Sequence, residues 1–360
     1  MRDNKLSLEK EILKKENKNR NKIYLLTAAL VILIFAAALY SLFVGTAEIK
    51  ISDLTDILFR GKRGMVYNII WNIRFPAVLT ALFSGMGLAL SGAVMQSILK
   101  NPLASPFTLG ISHAAAFGAA FAIVIINPAE LDFLSFLDGI YLPSFTAFLF
   151  TQLAVAVILM ISHKRNVGRE SIVLAGIALS SLFTAGTTAL EFFADDLELA
   201  SVIYWTFGDP GRTGWKQLFI ILAVLILILA YFIYRGWNFN VLAAGDEVAQ
   251  SLGVNAARMR LTAMILSSVL TSVIISFVGI IGFVGLVTPH IIRKIVSGNQ
   301  RQLFINSALA GGLLLIISDN FARTLFRPVV LPVGVLTAFL GAPLFIYLIS
   351  FKFAHNITIF

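Results

Sequence analysis

The sequence contains no cysteine and few charged residues. Of its 360 residues, 13% are Asp, Glu, Lys or Arg, against about 25% in an ordinary soluble domain. Without cysteine the chain has no disulfides, no thiolate metal sites and no cysteine nucleophile. With so little charge, and with 58% hydrophobic residues, it lacks the polar surface that a soluble protein of this length needs.

The uncharged residues are grouped in long runs. Most runs reach the roughly 17–25 residues that a helix needs to cross about 30 Å of hydrocarbon. The alternating strands of an outer-membrane barrel are absent, and backbone polar groups in lipid must be satisfied within each segment, so the runs are predicted to be helices. The runs are residues 23–44, 75–99, 103–127, 139–162, 171–190, 217–234, 261–292, 302–318 and 328–351.

The run 261–292 is too long for one crossing. As one straight helix its 32 residues would measure about 48 Å. Gly279, Gly282, Gly285 and Pro289 interrupt it, which predicts a full span, a tight reversal and a shorter returning helix. The sequence therefore predicts an all-α membrane protein with about ten transmembrane helices.

The distribution of charge predicts the orientation of the spans. The tail 1–22 is basic, and further Lys and Arg residues fall in alternate loops, which are predicted to be cytoplasmic, as are the tail 353–360 and both termini. The loops 128–138 and 192–211 are acidic and are predicted to lie outside, whereas the outer loop 45–74 is basic and breaks the bias. The net charge of +9 reflects this bias and attraction to anionic lipid, and does not indicate nucleic-acid binding.

Motifs for chemistry on a substrate or nucleotide are missing. The four histidines are far apart, and neither a Gly-x-Ser-x-Gly elbow nor a Walker-type loop occurs. His113 and His290 are interpreted as packed side chains, or alternatively as pathway residues. The centres of the predicted spans carry no charge, so a proton- or sodium-coupled carrier is hard to build, and the energy source is predicted to lie in another subunit.

Small residues recur inside the predicted spans. The segment Ala81–Ala93 and the region around Gly176, Ser181 and Ala185 place Gly, Ala and Ser at spacings that let helices approach closely. Two interpretations remain open for these positions. They can serve close packing of the bundle, or they can form the wall of a smooth, weakly binding pathway.

The loop 241–258 carries the pattern of a short amphipathic helix. Asp246 follows Gly245 and is predicted to cap it, and Gly253 is predicted to stop it. Its apolar side would carry Val248, Ala249 and Leu252. These modest side chains suit a protein groove better than a lipid surface, which calls for Trp, Phe and Lys.

The same loop resembles a known family. Gly245–Val254, read as GDEVAQSLGV, is similar to the coupling region of the FecCD family of ABC-importer permeases, which take up ferric siderophores, haem and cobalamin. Further similar segments cover about residues 45–352 in the expected order. They are Asn72–Pro76 (NIRFP), Ser91–Pro106, Leu109–Ser112, Gly282–Arg293 and Leu331–Phe345.

The resemblance implies a type II ABC importer permease fold in the plasma membrane of a prokaryote. Residues 23–352 would form one permease domain with a cytoplasmic coupling region at 241–257. Two copies, as a homodimer or a related pair, would enclose the pathway. ABC ATPase subunits would bind ATP and Mg beneath it, and an extracytoplasmic substrate-binding protein would dock on top. A small oxyanion is a further substrate within the family, and a secondary active transporter is the alternative function.

The resemblance also assigns roles to residues. Two positions depart from the family pattern: many relatives carry Arg where this chain has Ala77, and Glu where it has Val330. At the docking face, Arg327, or Lys62 and Arg63, would compensate for the missing charges. The ATPase-coupling residues would be Gly245, Asp246, Ala249, Leu252 and Gly253, the docking residues Arg74, Arg323 and Arg327, and the inner gate Arg169, Glu170 and Ser171.

Overall fold

The computed structural model describes residues 2–45, 64–126, 141–162, 169–296 and 298–356. The predicted outer loop 128–138 and most of 45–74, with Lys62 and Arg63, lie outside these ranges. The described chain is helical nearly throughout, without a β-strand. In chain order the helices are α1 (Arg2–Phe43), α2 (Met65–Leu99), α3 (Ile111–Ile126), α4 (Tyr141–Ser162), α5 (Arg169–Phe193), α6 (Asp196–Thr206), α7 (Trp215–Tyr234), α8 (Gly236–Ala244), α9 (Asp246–Ser251), α10 (Ala256–Val278), α11 (Val284–Ile295), α12 (Gln300–Thr324) and α13 (Val333–Asn356).

The predicted all-α membrane fold is confirmed. Within the described residues, seven helices are long and apolar enough to span a membrane, namely α1, α2, α4, α5, α7, α10 and α12. Shorter apolar helices at Ile111–Ile126 and Val333–Tyr347 account for the third and last predicted spans. The 12-residue α11 is the short returning helix. Each predicted span therefore has its helix.

Three segments differ from the prediction. Helix α2 begins ten residues earlier than predicted, at Met65. A π-helical stretch at Ile69–Arg74 continues the helix into the turn that contains Pro76, whose missing N–H leaves one hydrogen bond unmade there. The predicted loop 192–211 contains α6, which Asp195 and Glu198 begin with a reciprocal capping box. Helix α1 begins well before the predicted span 23–44, because from Arg2 onward the tail 1–22 continues it without a break.

Helix α2 lies at the centre of the bundle and packs against α10, α11 and α12. Two of its glycines allow the closest of these approaches. A Cβ added to Gly85 would lie 2.3 Å from the carbonyl oxygen of Gly311 on α12, and one added to Gly92 would lie 1.8 Å from that of Gly285 on α11. Both distances are far below van der Waals contact, so only glycine permits the observed packing.

Close approach of two backbones at a glycine also occurs farther from the centre of the bundle. A Cβ on Gly118 of α3 would meet the carbonyl oxygen of Thr146 on α4 at 2.6 Å, and one on Gly176 of α5 would meet that of Thr108 at 2.1 Å. Of the two interpretations left open for the small residues, close packing thus holds for Gly85, Gly92 and Gly176.

The predicted reversal inside 261–292 is confirmed. Helix α10 ends at Val278 and is capped by Gly279, whose φ of 87° lies in the left-handed region. Helix α11 begins after Phe283, which has a φ of 65°. The backbone N–H of Asp209 donates to the carbonyl of Val278 at 2.8 Å and fixes the turn to the preceding loop. Pro289 lies inside α11 and does not interrupt it.

Polar contacts define two ends of the bundle. At one, which we call the basic end, Ser97 of α2 donates to Gln300 of α12 at 2.8 Å and accepts from Arg293 of α11 at 3.1 Å. The other, which we call the acidic end, carries the capped start of α6 and Asp209. Its contacts join Arg74 to Leu42, Trp215 to Trp71, and Gly334 to Gly208. Arg235, Arg258, Arg260, Arg293, Lys294 and Arg301 all fall at the basic end, as the charge pattern predicted.

We expect Gly92→Ala to destabilise the bundle by about 1–3 kcal/mol, because the added methyl group forces α2 and α11 apart. Gly64→Ala is the matched control, since nothing lies within 4 Å of a Cβ at Gly64, just before α2. The thermal midpoint of the purified protein in detergent reports both effects. Equal midpoints for the two variants would contradict the packing argument.

Candidate functional site

The predicted coupling region forms two short helices at the basic end, α8 and α9. Helix α8 is anchored by Phe239, whose ring packs edge-on against Phe304 of α12 with ring centroids 5.1 Å apart. The side-chain oxygen of Asn240 also accepts a hydrogen bond from the backbone N–H of Gln300 at 2.7 Å. Helix α8 is thereby held on the first turn of α12, and it presents α9 at the surface.

Helix α9 begins at Asp246, but Asp246 does not cap it. The N-cap position belongs to Gly245, whose φ of 136° is open to glycine and strained for other residues, and no side chain caps the helix. The carboxylate of Asp246 is instead turned toward Arg260 in the first turns of α10. The predicted cap was therefore wrong, because an ion pair takes the carboxylate away from the helix N-terminus.

Arg260 joins three elements. Two of its guanidinium nitrogens bind the two carboxylate oxygens of Asp246, with Nη1 at 2.7 Å from Oδ2. The third nitrogen, Nε, donates to the backbone carbonyl of Ile98 at 3.2 Å, at the end of α2. Bidentate arginine–carboxylate pairs are the most directional ion pairs in proteins. The guanidinium therefore connects α9 to α10 and to the central helix.

Helix α9 ends at Ser251, and Gly253 stops it as the sequence predicted. With Gly253 at a φ of 77°, the N–H of Val254 donates to the carbonyl of Ala249 at 2.8 Å and that of Gly253 to the carbonyl of Gln250 at 3.0 Å. This pair of bonds is a Schellman motif, which satisfies the last carbonyls of a helix. The geometry gives a six-residue helix with both ends fixed by the chain itself.

The apolar residues of α9 face two ways. Ala249 is 0% exposed and packs into the chain, whereas Leu252 is 53% exposed and Val248 is also exposed beside it. In the described chain Ala249 thus seats the helix, and Val248 and Leu252 form an apolar surface that faces outward. This surface is flanked by the exposed carboxylate of Glu247.

At the acidic end the three predicted docking arginines differ in exposure. Arg74 is 4% exposed and donates from Nη1 to the carbonyl of Leu42 at 2.7 Å, at the end of α1. Arg323 forms an ion pair with Asp319 one turn earlier on α12. Arg327 is exposed in the loop that follows α12, beside the exposed side chains of Phe326 and Val329.

The predicted inner gate lies at the first turn of α5. The helix begins at Arg169, and Ser171 is exposed, whereas the side chains of Arg169 and Glu170 lie outside the described residues. Farther along α5, Gly176 faces the bundle and Ser181 and Ala185 face outward. Helix α5 thus separates a packing face from an exposed face of small and hydroxyl side chains.

Sequence reasoning missed the polar contacts that hold the site. Arg260 and Arg293 were interpreted only as cytoplasmic charges, and Ser97 and Gln300 were given no role. Ser97 and Gln300 are separated by 203 residues, so no local pattern reveals their hydrogen bond. His113 is exposed on α3 and His290 is partly buried on α11, and within the described chain no three His, Asp or Glu side chains cluster as metal ligands do.

The chain matches the sequence pattern of the FecCD transport family over residues 30–351. It is 50% identical over 322 residues to a protein of Methanocaldococcus jannaschii named as an ABC transporter permease, covering 89% of this chain and 92% of the relative. The hemin transport system permease HmuU of Yersinia pestis is 34% identical over 325 residues, covering 90% and 95%. A solved structure of a metal-chelate type ABC transporter in an inward-facing conformation superposes with a TM-score of 0.77 at 28% identity, covering 91% of this chain and 99% of that chain. The chain therefore belongs to the FecCD transport family and is an integral membrane permease of the ABC transporter type.

Proposed function

We propose that this chain is the transmembrane permease subunit of an ATP-driven importer for a metal chelate, with alternating access driven by partner ATPases. The observation that carries the proposal is α9, a short surface helix that is fixed at both ends, held on α2 through Arg260, and apolar on its outward side. A helix so placed can transmit motion from a bound partner to the bundle. The similarity to a hemin permease and to a metal-chelate transporter supports a chelate such as haem, a ferric siderophore or cobalamin as the substrate.

The outward surface of α9 would bind the ATPase subunits, which supply ATP and Mg. Exposed Leu252 and Val248 would fill an apolar groove on that partner, while buried Ala249 holds the helix in place. This divides the predicted coupling residues into two roles. Gly245 and Gly253 shape the ends of α9, and Asp246 ties it to Arg260.

A second copy of the chain would complete the pathway. Helix α5 is one of the least buried of the spanning helices, and its outward face carries Ser181, Ala185 and Thr188. Small and hydroxyl side chains bind a passing chelate only weakly, so specificity would come from the extracytoplasmic binding protein. The basic end would face the cytoplasm with both termini, as positive charge does in other membrane proteins.

Leu252→Asp is expected to reduce co-purification of the partner ATPase about tenfold or more, because an apolar anchor at the centre of an interface carries much of its binding energy. Ser251→Asp is the matched control. It adds the same charge at the next exposed position of α9, on the side that carries Glu247. The yield of ATPase bound to the tagged permease, with insertion checked separately, measures both variants.

Equal loss in both variants would show that charge alone repels the partner and would contradict the role of Leu252. If no ATPase associates with the wild type and Leu252→Asp transports normally, the chain is a secondary active transporter instead. Transport of substrate into proteoliposomes, measured with and without ATP enclosed in the vesicles, distinguishes these outcomes.

Arg260→Met is expected to lower the amount of substrate carried per ATP hydrolysed roughly fivefold or more, because a factor of about five is the lower end of the typical coupling between two sites. Methionine keeps the apolar stem but removes both the pair with Asp246 and the bond to Ile98. Arg301→Met, at an exposed arginine of the same end, should leave the ratio unchanged. A variant that loses ATPase binding and transport in proportion would assign Arg260 to docking and not to transmission.

Arg327→Glu is expected to weaken association with the binding protein several-fold and to reduce its dependence on salt, because an exposed charge at an interface mainly steers encounter. Lys216→Glu, an exposed cation of the same end, serves as the control. Arg74 and Arg323 keep their predicted docking roles as a proposal, with Arg74 acting through the loop it supports. Equal effects of the two reversals would indicate general electrostatics without a docking site at Arg327.

A further inference from the structure

A cavity of about 230 Å³ opens at the basic end between α7, α8 and α10. Its polar lining comes from Arg235 at the end of α7, Asn238 of α8, and Asn255 and Arg258 at the start of α10. Tyr231 and Thr262 line it one turn deeper within the two spanning helices. It is separate from the outward surface of α9 formed by Val248 and Leu252.

The cavity is positively charged. Both of its arginines are exposed, and no Asp or Glu lines it. Within the described residues the ion pairs are those of Arg260 and Arg323, so no carboxylate neutralises Arg235 or Arg258 there. Arg235 contacts the ring of Tyr234, a contact that leaves its guanidinium donors available. Two guanidinium groups beside two side-chain amides are a donor set suited to a phosphate group.

The surroundings place the cavity at the level of the bilayer surface. Tyr234 and Trp237 are 81% and 59% exposed on either side of Arg235. Exposed Tyr and Trp next to the end of a spanning helix are typical of the membrane–water interface. Leu261 and Ile265, on the neighbouring face of α10, are also exposed and would contact acyl chains. Basic pockets between spanning helices at this level are the usual sites for anionic lipid head groups.

We propose that this cavity binds the phosphate of an anionic phospholipid head group through Arg235 and Arg258. Gly253, Val254 and Asn255 form one wall, and this segment is the link between α9 and α10. A bound head group would therefore contact the segment that positions the surface helix. The site does not depend on the transport function proposed above, because it needs neither an ATPase nor a substrate.

The test is a competition between lipids, measured by native mass spectrometry of the full chain released from nanodiscs that contain equal phosphatidylglycerol and phosphatidylcholine. The wild type should retain phosphatidylglycerol about tenfold over phosphatidylcholine, since each basic residue near the surface favours anionic lipid. Arg235→Ala with Arg258→Ala should abolish this preference. Arg20→Ala with Lys22→Ala removes the same charge from α1 and should leave the preference intact.

Equal retention in the two double variants would overturn the proposal. Arg235→Lys with Arg258→Lys keeps the charge and should keep part of the preference, which guards against a folding defect in the alanine variant. Inorganic phosphate added in excess should not displace the lipid, and full displacement would assign the cavity to a soluble anion. If the alanine variant loses ATPase co-purification while its lipid preference is unchanged, the cavity is a protein contact and the proposal fails.

Discussion

Two glycines of α2 set how closely the rest of the bundle can pack. Lipid tails are as apolar as leucine, so helices in a membrane gain little from leaving the lipid and depend on close contact with one another. Gly85 and Gly92 let the backbones of α12 and α11 approach α2 directly, and α12 in turn holds α1 through the hydrogen bond between Thr27 and Asn306, at 2.9 Å. Larger side chains at these two positions would separate α2 from α11 and α12, the helices that carry the contacts of Ser97 with Arg293 and Gln300.

The polar contacts use the rigidity that this packing supplies. At the basic end, Ser97, Gln300 and Arg293 tie three helices at the level where α8 begins, and Arg260 extends the connection to α9. At the acidic end, Arg74 in the first turns of α2 donates a hydrogen bond to the carbonyl of Leu42 at the end of α1. In the proposed mechanism, a motion imposed at α9 reaches the central helix through Arg260 and passes to the helices packed on it.

The sequence was sufficient for the helices but not for the contacts between them. Long uncharged runs located every span, and the glycines at 279 and 282 located the reversal, because these signals are local. The early start of α2 was not predicted, since the predicted span was bounded by the charge of Arg74, which the folded chain buries. The cap assigned to Asp246 was wrong for a related reason: its partner Arg260 lies on another helix. Ala249 is buried and Leu252 is exposed because of where α8 packs on α12, and only the folded bundle determines that position.

The bond between Arg260 and the carbonyl of Ile98 has a consequence for biogenesis. The two residues are 162 positions apart, and a chain is made from its N-terminus. While α9 leaves the ribosome, α10 is still incomplete, so the helix has no guanidinium to hold its carboxylate and no link to α2. The surface becomes fixed only once α10 has been inserted beside α2. A protein that binds α9 in its final position would therefore recognise chains in which α10 has been inserted and pass over those in which it has not.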